Sequence, residues 1–216
     1  MFKMRLGPAP SSLRKILCLG AHCDDIEIGC GGTLLRLADE NPGLTITWVV
    51  FSSTPARRRE ALQSARLFLK GVKRRRIVIK TFRDSYFPYQ GAKIKDFVSS
   101  LKSESPDLIF THYRDDLHQD HRLLSELTRN AFRNHLILEY EIPKYDGDLG
   151  SPNYFAQISE ATAAHKIRYI LQAFKSQMAK PWFSEDTFYA LLRLRGIESG
   201  TGQKFAEGFY CRKALF

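Results

Sequence analysis

The sequence predicts an α/β protein with a Rossmann-like, mostly parallel sheet and helices on both faces, followed by a C-terminal helical and strand appendage. Strand-length apolar runs alternate with amphipathic segments as far as residue 142, and the chain is 44% hydrophobic and 26% charged, as is typical of globular proteins. Repeated βα units place helices on both faces because crossovers between parallel strands are right-handed. A length of 216 residues fits one domain, so we expect a single domain over residues 1–216.

The first half of the chain predicts three strands and two helices. In order, they are a strand at 14–21, a helix at 31–40, a strand at 44–51, a helix at 54–71 and a strand at 76–81. The second helix has the clearest limits, because Thr54 suits the N-cap, Pro55 fits the first turn and Gly71 fits the end. The chain therefore opens as β-α-β and continues in the same pattern.

The second half continues the alternation and then departs from it. The predicted elements are a helix at 93–104, a strand at 106–113, a helix at 119–134, a strand at 136–142, helices at 159–179 and 185–195, and a last strand within 204–216. The segment between the strand at 136–142 and the helix at 159–179 has the composition of a loop, with the sequence "PKYDGDLGSPNYF" at 143–155. No linker composition separates the C-terminal part, so we keep it in the same domain as an appendage that packs or shapes a site.

Targeting signals and cysteine usage predict a soluble, cytoplasmic protein. The N-terminal residues 1–12 contain basic residues but lack an apolar core of signal-peptide length, and the longest apolar run, "LTITWVVF", is too short to span a membrane. The four cysteines form no CxxC pair and predict reduced thiols, with a disulfide as the alternative; they are Cys18, Cys23, Cys30 and Cys211.

The net charge of +10 raises the question of a nucleic-acid partner. Two basic clusters stand out, "ARRRE" at 56–60 and "KRRR" at 73–76. The second directly precedes a predicted strand, and such runs usually form solvated surface, so we expect no specific nucleic-acid binding. An anionic small substrate explains the excess of positive charge equally well.

Polar clusters follow two of the predicted strands. "HCDD" at 22–25 follows the first strand, and "HYRDDLHQDH" at 112–121 follows the fourth. In an open parallel sheet, ligands bind beyond the carboxyl ends of the strands where the strand order reverses, and in a Rossmann-type order these two strands are neighbours there. We therefore expect the two clusters to meet in one crevice.

These clusters supply the residues of a catalytic metal site. Such zinc sites have three nitrogen or oxygen ligands from the protein and one open position, and His22, Asp25 and His121 provide that set. Asp24 lies in the same turn as two of these ligands and is placed to act as a general base. Zinc is the predicted cofactor, although iron(II) suits the same ligands.

The second cluster adds two further candidates. His118 and His121 are three residues apart, so one imidazole can bind metal while the other faces substrate, and Asp120 can fix a histidine tautomer. Each motif has a structural alternative: a histidine after a strand is often structural, paired aspartates often form a solvated turn, and "HQDH" can simply begin a helix. The expected placement of both clusters at neighbouring strand ends favours a catalytic metal site over these structural alternatives. Three histidines are assigned to structure, namely His112, His135 and His165.

The motifs are similar to those of a known family. "GAHCDDIEIGCGGTL" and "DDLHQDH" resemble the zinc-dependent N-acetylglucosamine de-N-acetylase family, called PIG-L or LmbE-like, whose motifs are AH(P/A)DD with E-x-G-x-x-G-T behind it and H-(P)-D-H. "RRREALQSARLFLKGV" resembles its R-x-x-E helix, "SPNYFAQIS" resembles a central segment, and "FAEGF" resembles its closing strand. The resemblance covers nearly the whole chain.

The resemblance implies a role for each matching position. It implies metal binding by His22, Asp25 and His121, a general base at Asp24, and an acid or oxyanion stabiliser at His118. It further implies that Arg57, the first residue of R-x-x-E, contacts substrate. Two positions depart from the motifs, since Cys23 and Gln119 replace prolines or alanines, and neither change removes a ligand. The simpler interpretation of Cys23 is a small neutral spacer between His22 and Asp24; the alternative is that its thiolate binds the metal.

The expected function is metal-dependent removal of an acetyl group from an N-acetylated amino sugar, which releases acetate and a free amine. The sugar can be free or carried on a nucleotide, lipid, inositol or glycoside, and the arginines at 57–59 suit a phosphate-bearing one. Loop candidates for the pocket rim are 146–155 and the aromatic residues Tyr86, Phe87 and Tyr89, for which packing is the alternative.

Three rival functions stay open on the sequence alone. A non-catalytic nucleotide-binding protein would use "GCGGTL" as a phosphate loop, but the spacing matches neither G-x-G-x-x-G nor a P-loop. A nucleic-acid-binding protein would need its basic charge focused on one face. A metal-binding protein without catalysis would not need Asp24. The partner expected is a small amino-sugar molecule, and the sequence leaves a homo-oligomer open.

Overall fold

The computed structural model describes residues 13–215, so the N-terminal residues 1–12, in which we found no signal peptide, lie outside the described part. One sheet of seven strands has the order β3-β2-β1-β4-β5-β7-β6. The strands are β1 (Lys15–Gly20), β2 (Thr45–Val50), β3 (Arg74–Ile79), β4 (Leu108–His112), β5 (Leu136–Tyr140), β6 (Tyr154–Ile158) and β7 (Phe205–Cys211).

Strands β1 to β5 run parallel to one another, and β7 pairs antiparallel with both β5 and β6. The strand order reverses between β1 and β4, which are neighbours with Ile16 paired to Leu108. The predicted mostly parallel α/β fold is therefore confirmed. Strand β6 lies partly inside the predicted loop at 143–155, where turn residues obscured the start of a short strand.

Within the described residues, six α-helices cover the sheet: α1 (Asp25–Glu40), α2 (Pro55–Phe68), α3 (Gly91–Ser100), α4 (Gln119–Ala131), α5 (Glu160–Ala173) and α6 (Glu185–Glu198). Short 3-10 helices occupy Phe87–Gln90, Leu101–Glu104 and Lys175–Gln177. Helix α2 begins as predicted, with the Thr54 side chain accepting a hydrogen bond from the Arg57 N–H, but it ends at Phe68 and not at Gly71.

Alternation along the strands separates two cores. In β1, Ile16 and Cys18 belong to a core with α1, α2, α5 and α6, whereas Leu17 and Leu19 belong to a second core with α3 and α4. Successive side chains of a strand point to opposite faces, so one apolar strand contributes to both layers. The helices therefore lie on both faces of the sheet, as predicted.

Helix α1 begins six residues earlier than predicted, at Asp25 and not at residue 31. The prediction placed Gly29 before the helix, but both Gly29 and Gly31 lie inside it. A Cβ atom at Gly29 would overlap the ring of Tyr140, and one at Gly31 would overlap the ring of Phe68. The glycines thus allow the helix to pack closely against its neighbours, with its first turn directly at the end of β1.

Two expectations from composition can be compared with the structure. All four cysteines are free thiols, with three buried and Cys211 partly exposed, as predicted. Within residues 13–215, no helix is long and apolar enough to cross a membrane.

Candidate active site

The two polar clusters meet where the strand order reverses. The segment at 22–25 leaves β1 and enters α1, and the segment at 113–121 leaves β4 and enters α4. Since β1 and β4 are hydrogen-bonded neighbours, His22 Nδ1 lies 3.1 Å from His121 Nε2, although 99 residues separate them in the chain. The predicted crevice is present.

Three donor atoms fit a tetrahedral metal site. His22 Nδ1 lies 3.1 Å from His121 Nε2 and 3.5 Å from Asp25 Oδ2, and the last two atoms are 3.7 Å apart. Zinc with bonds of about 2.0–2.1 Å places its tetrahedral ligands about 3.3–3.4 Å apart, which matches these separations. The set His22, Asp25 and His121 predicted from sequence is thus brought together.

Each of the two histidines also contacts a carboxylate through its other ring nitrogen. His121 Nδ1 lies 3.0 Å from Asp116 Oδ2, and His22 Nε2 lies 3.3 Å from Asp120 Oδ2. Asp84 Oδ1 is a further carboxylate atom 3.1 Å from His22 Nε2. Carboxylates in this position fix the tautomer and the ring plane of metal-binding histidines. Asp120 therefore lies where a tautomer-fixing residue was predicted, opposite His22.

Burial and neighbouring charges set the protonation of the donors. Burial opposes the charge on Asp25, but His121 and His112 outweigh it and hold the pKa of this carboxyl well below its usual range. Burial, reinforced by His112, lowers the pKa of His121 to about 3. Burial also lowers the pKa of His22, but contacts with Asp120 and two other carboxylates outweigh it and raise this pKa well above its usual value. The carboxylate of Asp25 and the neutral imidazole of His121 are forms that bind metal, whereas the raised pKa of His22 means that metal binding releases a proton from this ring.

His112, which was assigned to structure, packs directly against two of the proposed ligands. Its Nε2 is 3.1 Å from Asp25 Oδ2, and its ring stacks on that of His121 with centroids 3.8 Å apart. It is fully buried, and the backbone N–H of Ala21 donates to Nε2 at 3.0 Å. As the last residue of β4 it is not among the residues that line the cavity, so its contacts support the proposed ligands from behind. The other two, His135 and His165, pack elsewhere, against aromatic rings.

Asp24 lines the same cavity as the three donors and forms an ion pair with Arg57. Its Oδ2 accepts from Arg57 at 2.9 Å, and Arg57 also lies 3.3 Å from Glu60 Oε2, so the R-x-x-E pair acts as a unit on one turn of α2. Glu60 in turn accepts from the backbone N–H and the hydroxyl of Ser176, at 2.8 and 2.7 Å. The guanidinium of Arg57 packs over the ring of Phe174, 5.2 Å from its centroid. Arg57, predicted to contact substrate, therefore also holds the predicted base.

His118 caps helix α4. Its Nδ1 accepts from the backbone N–H of Asp120 at 3.2 Å, which leaves Nε2 as the nitrogen that carries hydrogen. Burial, reinforced by His22, lowers the pKa of His118 and favours the neutral ring. The sequence analysis left an acid or an oxyanion stabiliser open at this position, and a neutral N–H donor fits the second role.

A loop between β3 and α3 closes one side of the crevice around Asp120. The Asp120 carboxylate accepts from the backbone N–H groups of Ser85 and Phe87, at 2.7 and 3.0 Å. Ser85 has a left-handed φ of 63°, and the Gln119 side chain donates to its carbonyl at 2.5 Å. Gln119, which replaces the proline of the family motif, thus helps to fasten the loop that carries Asp84.

The aromatic candidates for the rim are distributed differently from the prediction. Phe87 is fully buried in the second core, and Tyr86 contacts Tyr89 at a tilted angle outside the residues that line the cavity. Phe87 therefore has a packing role, and Tyr86 and Tyr89 are exposed side chains away from the cavity. Cys23 is buried and donates to the Ser52 carbonyl at 3.3 Å, and burial raises the pKa of its thiol to about 12, which supports its interpretation as a spacer.

The donor set opens into a cavity of about 420 Å³, within the usual range for small-molecule sites. Part of its wall comes from two segments that were not predicted from the sequence to line a site. One follows β5 and contributes Lys144 and Tyr145, and the other joins α5 to α6 and contributes Lys180 and Trp182. Of the predicted loop 146–155, Asp146 reaches the cavity.

Sequence reasoning also missed Asp116 and Asp84, which contact the two ligand histidines. Asp116 lies in the "RDD" run five residues before His121 and is buried, whereas its neighbour Asp115 is exposed. Two adjacent aspartates look alike in the sequence, so the pair did not indicate which carboxylate contacts the histidine. Other groups of close donor atoms share these residues: His22 with His118 and His121, Asp25 with His112 and His121, and His22 with Asp84 and Asp120. All belong to the same crevice.

The chain is similar in sequence to a family of de-N-acetylases and to one of the curated deacetylases. The family model PIG-L, described as GlcNAc-PI de-N-acetylase, matches residues 17–132, over half of the chain. The matched range includes both polar clusters. The uncharacterized deacetylase YaiS from Escherichia coli is 31% identical over 141 residues, which make up 59% of this chain and 74% of YaiS.

Similar solved structures extend the match to the whole fold. The N,N′-diacetylchitobiose deacetylase from Pyrococcus horikoshii is 24% identical with a TM-score of 0.70, over 92% of this chain and 84% of that one. The 4-carboxy-2-hydroxymuconate hydratase GalB from Pseudomonas putida is 16% identical with a TM-score of 0.76, over 94% and 98% of the two chains. A deacetylase and a hydratase share this architecture, so the likeness shows the fold alone.

Proposed function

The chain belongs to the PIG-L family of de-N-acetylases, and from this premise we propose that it is a metal-dependent hydrolase of N-acetylated amino sugars. Membership of the family confirms the prediction of an amino-sugar deacetylase. The finer parts of the proposal are the metal, the roles of individual residues and the form of the substrate. The single observation that supports them best is the convergence of His22, Asp25 and His121 beside Asp24 in one cavity.

The proposed metal ligands are His22 Nδ1, Asp25 Oδ2 and His121 Nε2. Nitrogen and oxygen donors suit zinc, and iron(II) accepts the same set. When bound, such an ion supplies Lewis-acid polarisation of the amide carbonyl and makes a water molecule easier to deprotonate. The buried carboxylates of Asp116 and Asp120 keep the two imidazoles turned towards the ligand positions.

Asp24 is the proposed general base. Its carboxylate accepts the proton of the attacking water, whose oxygen forms a bond to the acetyl carbon. Arg57 holds this carboxylate at the cavity wall through the 2.9 Å ion pair, so the base keeps one position while the proton moves. The C–N bond then breaks, the proton passes to the sugar nitrogen, and the products are acetate and a free amine.

His118 is the proposed stabiliser of the negative charge that develops on the acetyl oxygen. Because its Nδ1 accepts from the Asp120 N–H, Nε2 can donate a hydrogen bond while the ring stays neutral. Removing one donor of this kind costs other enzymes about 10²–10³-fold in kcat. The four free cysteines support the further proposal that the protein works in a reducing compartment such as the cytoplasm.

The test is acetate release from N-acetylated sugars by zinc-loaded protein, by chelator-treated protein and by an Asp24→Asn variant. We expect the chelator to abolish acetate release and Asp24→Asn to lower kcat by about 10²–10⁴-fold while metal content is unchanged. The matched control is Asp39→Asn, which removes an exposed carboxylate from the same helix. Full activity of Asp24→Asn would contradict the assignment of the base.

A further inference from the structure

Two aromatic side chains line the cavity, and they come from segments other than the two that carry the metal-binding atoms. We infer that Tyr145 and Trp182, here called the aromatic rim, bind a neutral sugar ring attached to the N-acetyl amino sugar, so that the preferred substrate is an uncharged glycoside. This inference rests on the proposed function. It adds the group that the substrate carries and the residues that recognise it.

Trp182 is a fixed platform. Its side chain is half-buried and packs against the main core, and its ring meets that of Phe183 at 5.5 Å with an angle of 72° between the planes. Phe183 is itself 2% exposed and packs on Phe188 at 5.2 Å. The remaining surface of the indole lines the cavity. An aromatic face held in this way offers a large apolar surface at little entropic cost, and the C–H face of a pyranose ring fits it.

The segment that carries Trp182 is tied to the catalytic residues. Ser176 begins the connection through its two hydrogen bonds to Glu60, and Glu60 is paired with Arg57, which holds Asp24. This chain of contacts links the segment that carries Trp182 to the proposed base.

Tyr145 is the second aromatic side chain of the rim, and it comes from a different segment. It follows β5, is 72% exposed and lines the same cavity as Trp182, which comes from the connection between α5 and α6. An exposed aromatic side chain at a cavity mouth gains free energy when a ring covers it. Two such side chains from separate segments form a place for one additional ring.

The charges around the cavity favour a neutral group over a phosphate. Arg57 is paired with Asp24 and Glu60, and Lys144 is paired with Asp116 at 3.0 Å and with Asp148. These pairs engage two of the three lysine and arginine side chains that line the cavity.

Lys180 is the third, and its Nζ lies over the Trp182 ring at 5.5 Å. The carboxylates of Asp84 and Asp146 line the same cavity and offset its charge. A phosphate group is normally held by several cations that are free to contact it. The earlier expectation of a phosphate-bearing substrate, drawn from the arginines at 57–59, therefore loses support, since Arg58 donates to the carbonyl of Ile79.

Tryptophan fluorescence tests the inference without relying on turnover. The chain has two tryptophans, and Trp48 is fully buried, so a ligand-induced change in emission reports on Trp182. Three probes are titrated into zinc-loaded Asp24→Asn protein: N-acetylglucosamine, its 1-phosphate, and the neutral disaccharide N,N′-diacetylchitobiose. We expect the disaccharide to bind about two- to tenfold more tightly than N-acetylglucosamine, and the phosphate to bring no gain.

Steady-state kinetics then assign the effect to residues. Trp182→Ala and Tyr145→Ala should each raise KM for the disaccharide by about two- to tenfold and leave KM for N-acetylglucosamine unchanged. Tyr89→Ala is the control, because Tyr89 is 81% exposed and lies outside the residues that line the cavity. A change in KM for both sugars alike would indicate a merely structural role and overturn the inference, as would tighter binding of the phosphate.

The two proposals fail in different ways. If no sugar releases acetate but the fluorescence titration ranks the probes as expected, the proposed hydrolysis is wrong and the aromatic rim stands. If acetate is released and Trp182→Ala behaves as the wild-type protein with every probe, the hydrolysis stands and the aromatic rim is wrong.

Discussion

Replacing Asp116 with asparagine should weaken metal binding without unfolding the protein. Asp116 is 2% exposed, its Oδ2 lies 3.0 Å from His121 Nδ1, and its Oδ1 accepts from the His118 N–H at 2.8 Å. An asparagine at this position would keep an oxygen for one of these contacts and place an amide group at the other. Lys144 would lose one carboxylate but keep Asp148. The main consequence is therefore that His121 loses the charged partner that orients its ring.

The expected size follows from what such partners contribute elsewhere. Loss of a carboxylate behind a metal-binding histidine typically costs about 10–100-fold in metal affinity, which is about 1.4–2.7 kcal/mol. The upper part of this range is the better expectation for Asp116→Asn, because the contact is fully buried and water cannot replace it.

Zinc affinity should be measured by competition with a chromophoric chelator at fixed pH, with thermal unfolding of the metal-free protein as a check of the fold. Asp115→Asn provides the matched control, since it makes the same charge change at the adjacent, exposed position. If the two variants bind zinc within about twofold of each other, Asp116 does not orient His121 as the structure indicates.

Two other substitutions test the packing that positions the crevice. Gly29→Ala would push a methyl group into the ring of Tyr140 and should lower the free energy of unfolding in urea by about 1–3 kcal/mol. The control is Gly43→Ala, which should change the stability little because nothing lies within 4 Å of its added methyl group. Equal urea midpoints for the two variants would contradict the close packing of α1. Glu207→Gln should destabilise the protein by about 3–5 kcal/mol, because it leaves the Lys166 ammonium, 3% exposed and 2.6 Å from Glu207, without its charged partner. Adding Lys166→Met should recover part of that loss in the same assay, and no recovery would show that the buried charge is not its cause.

The proximity of the three proposed ligands was predictable because each lies within a few residues of a strand end or a helix start. His22, Asp25 and His121 needed only strands β1 and β4 to be identified and a Rossmann-type order to make them neighbours. Asp24 and His118 followed from the same reasoning, because they share those turns. Local sequence and one topological rule were sufficient for this part of the site.

Residues that act across longer distances could not be found in this way. Asp84 reaches His22 through the loop after β3, and its position depends on a left-handed residue, Ser85, held by hydrogen bonds from α4. Tyr145 and Trp182 lie in segments without periodic pattern, so their approach to the cavity depends on the packing of the C-terminal helices. Strand β6 was missed for a similar reason, since its five residues gain their partners only when β7 is in place.

The distribution of charge provides an independent argument for a bound cation. The chain as a whole carries a net charge of +10, yet Asp25, Asp116 and Asp120, each at most 3% exposed, lie around one pair of histidines. Burying several carboxylates close together is costly unless positive charge offsets it. The nearby ion pair from Lys144 engages Asp116, and Asp120 relies on backbone N–H groups. A divalent cation between His22, Asp25 and His121 would offset the remaining negative charge, and its binding energy would then contribute to the stability of the folded crevice.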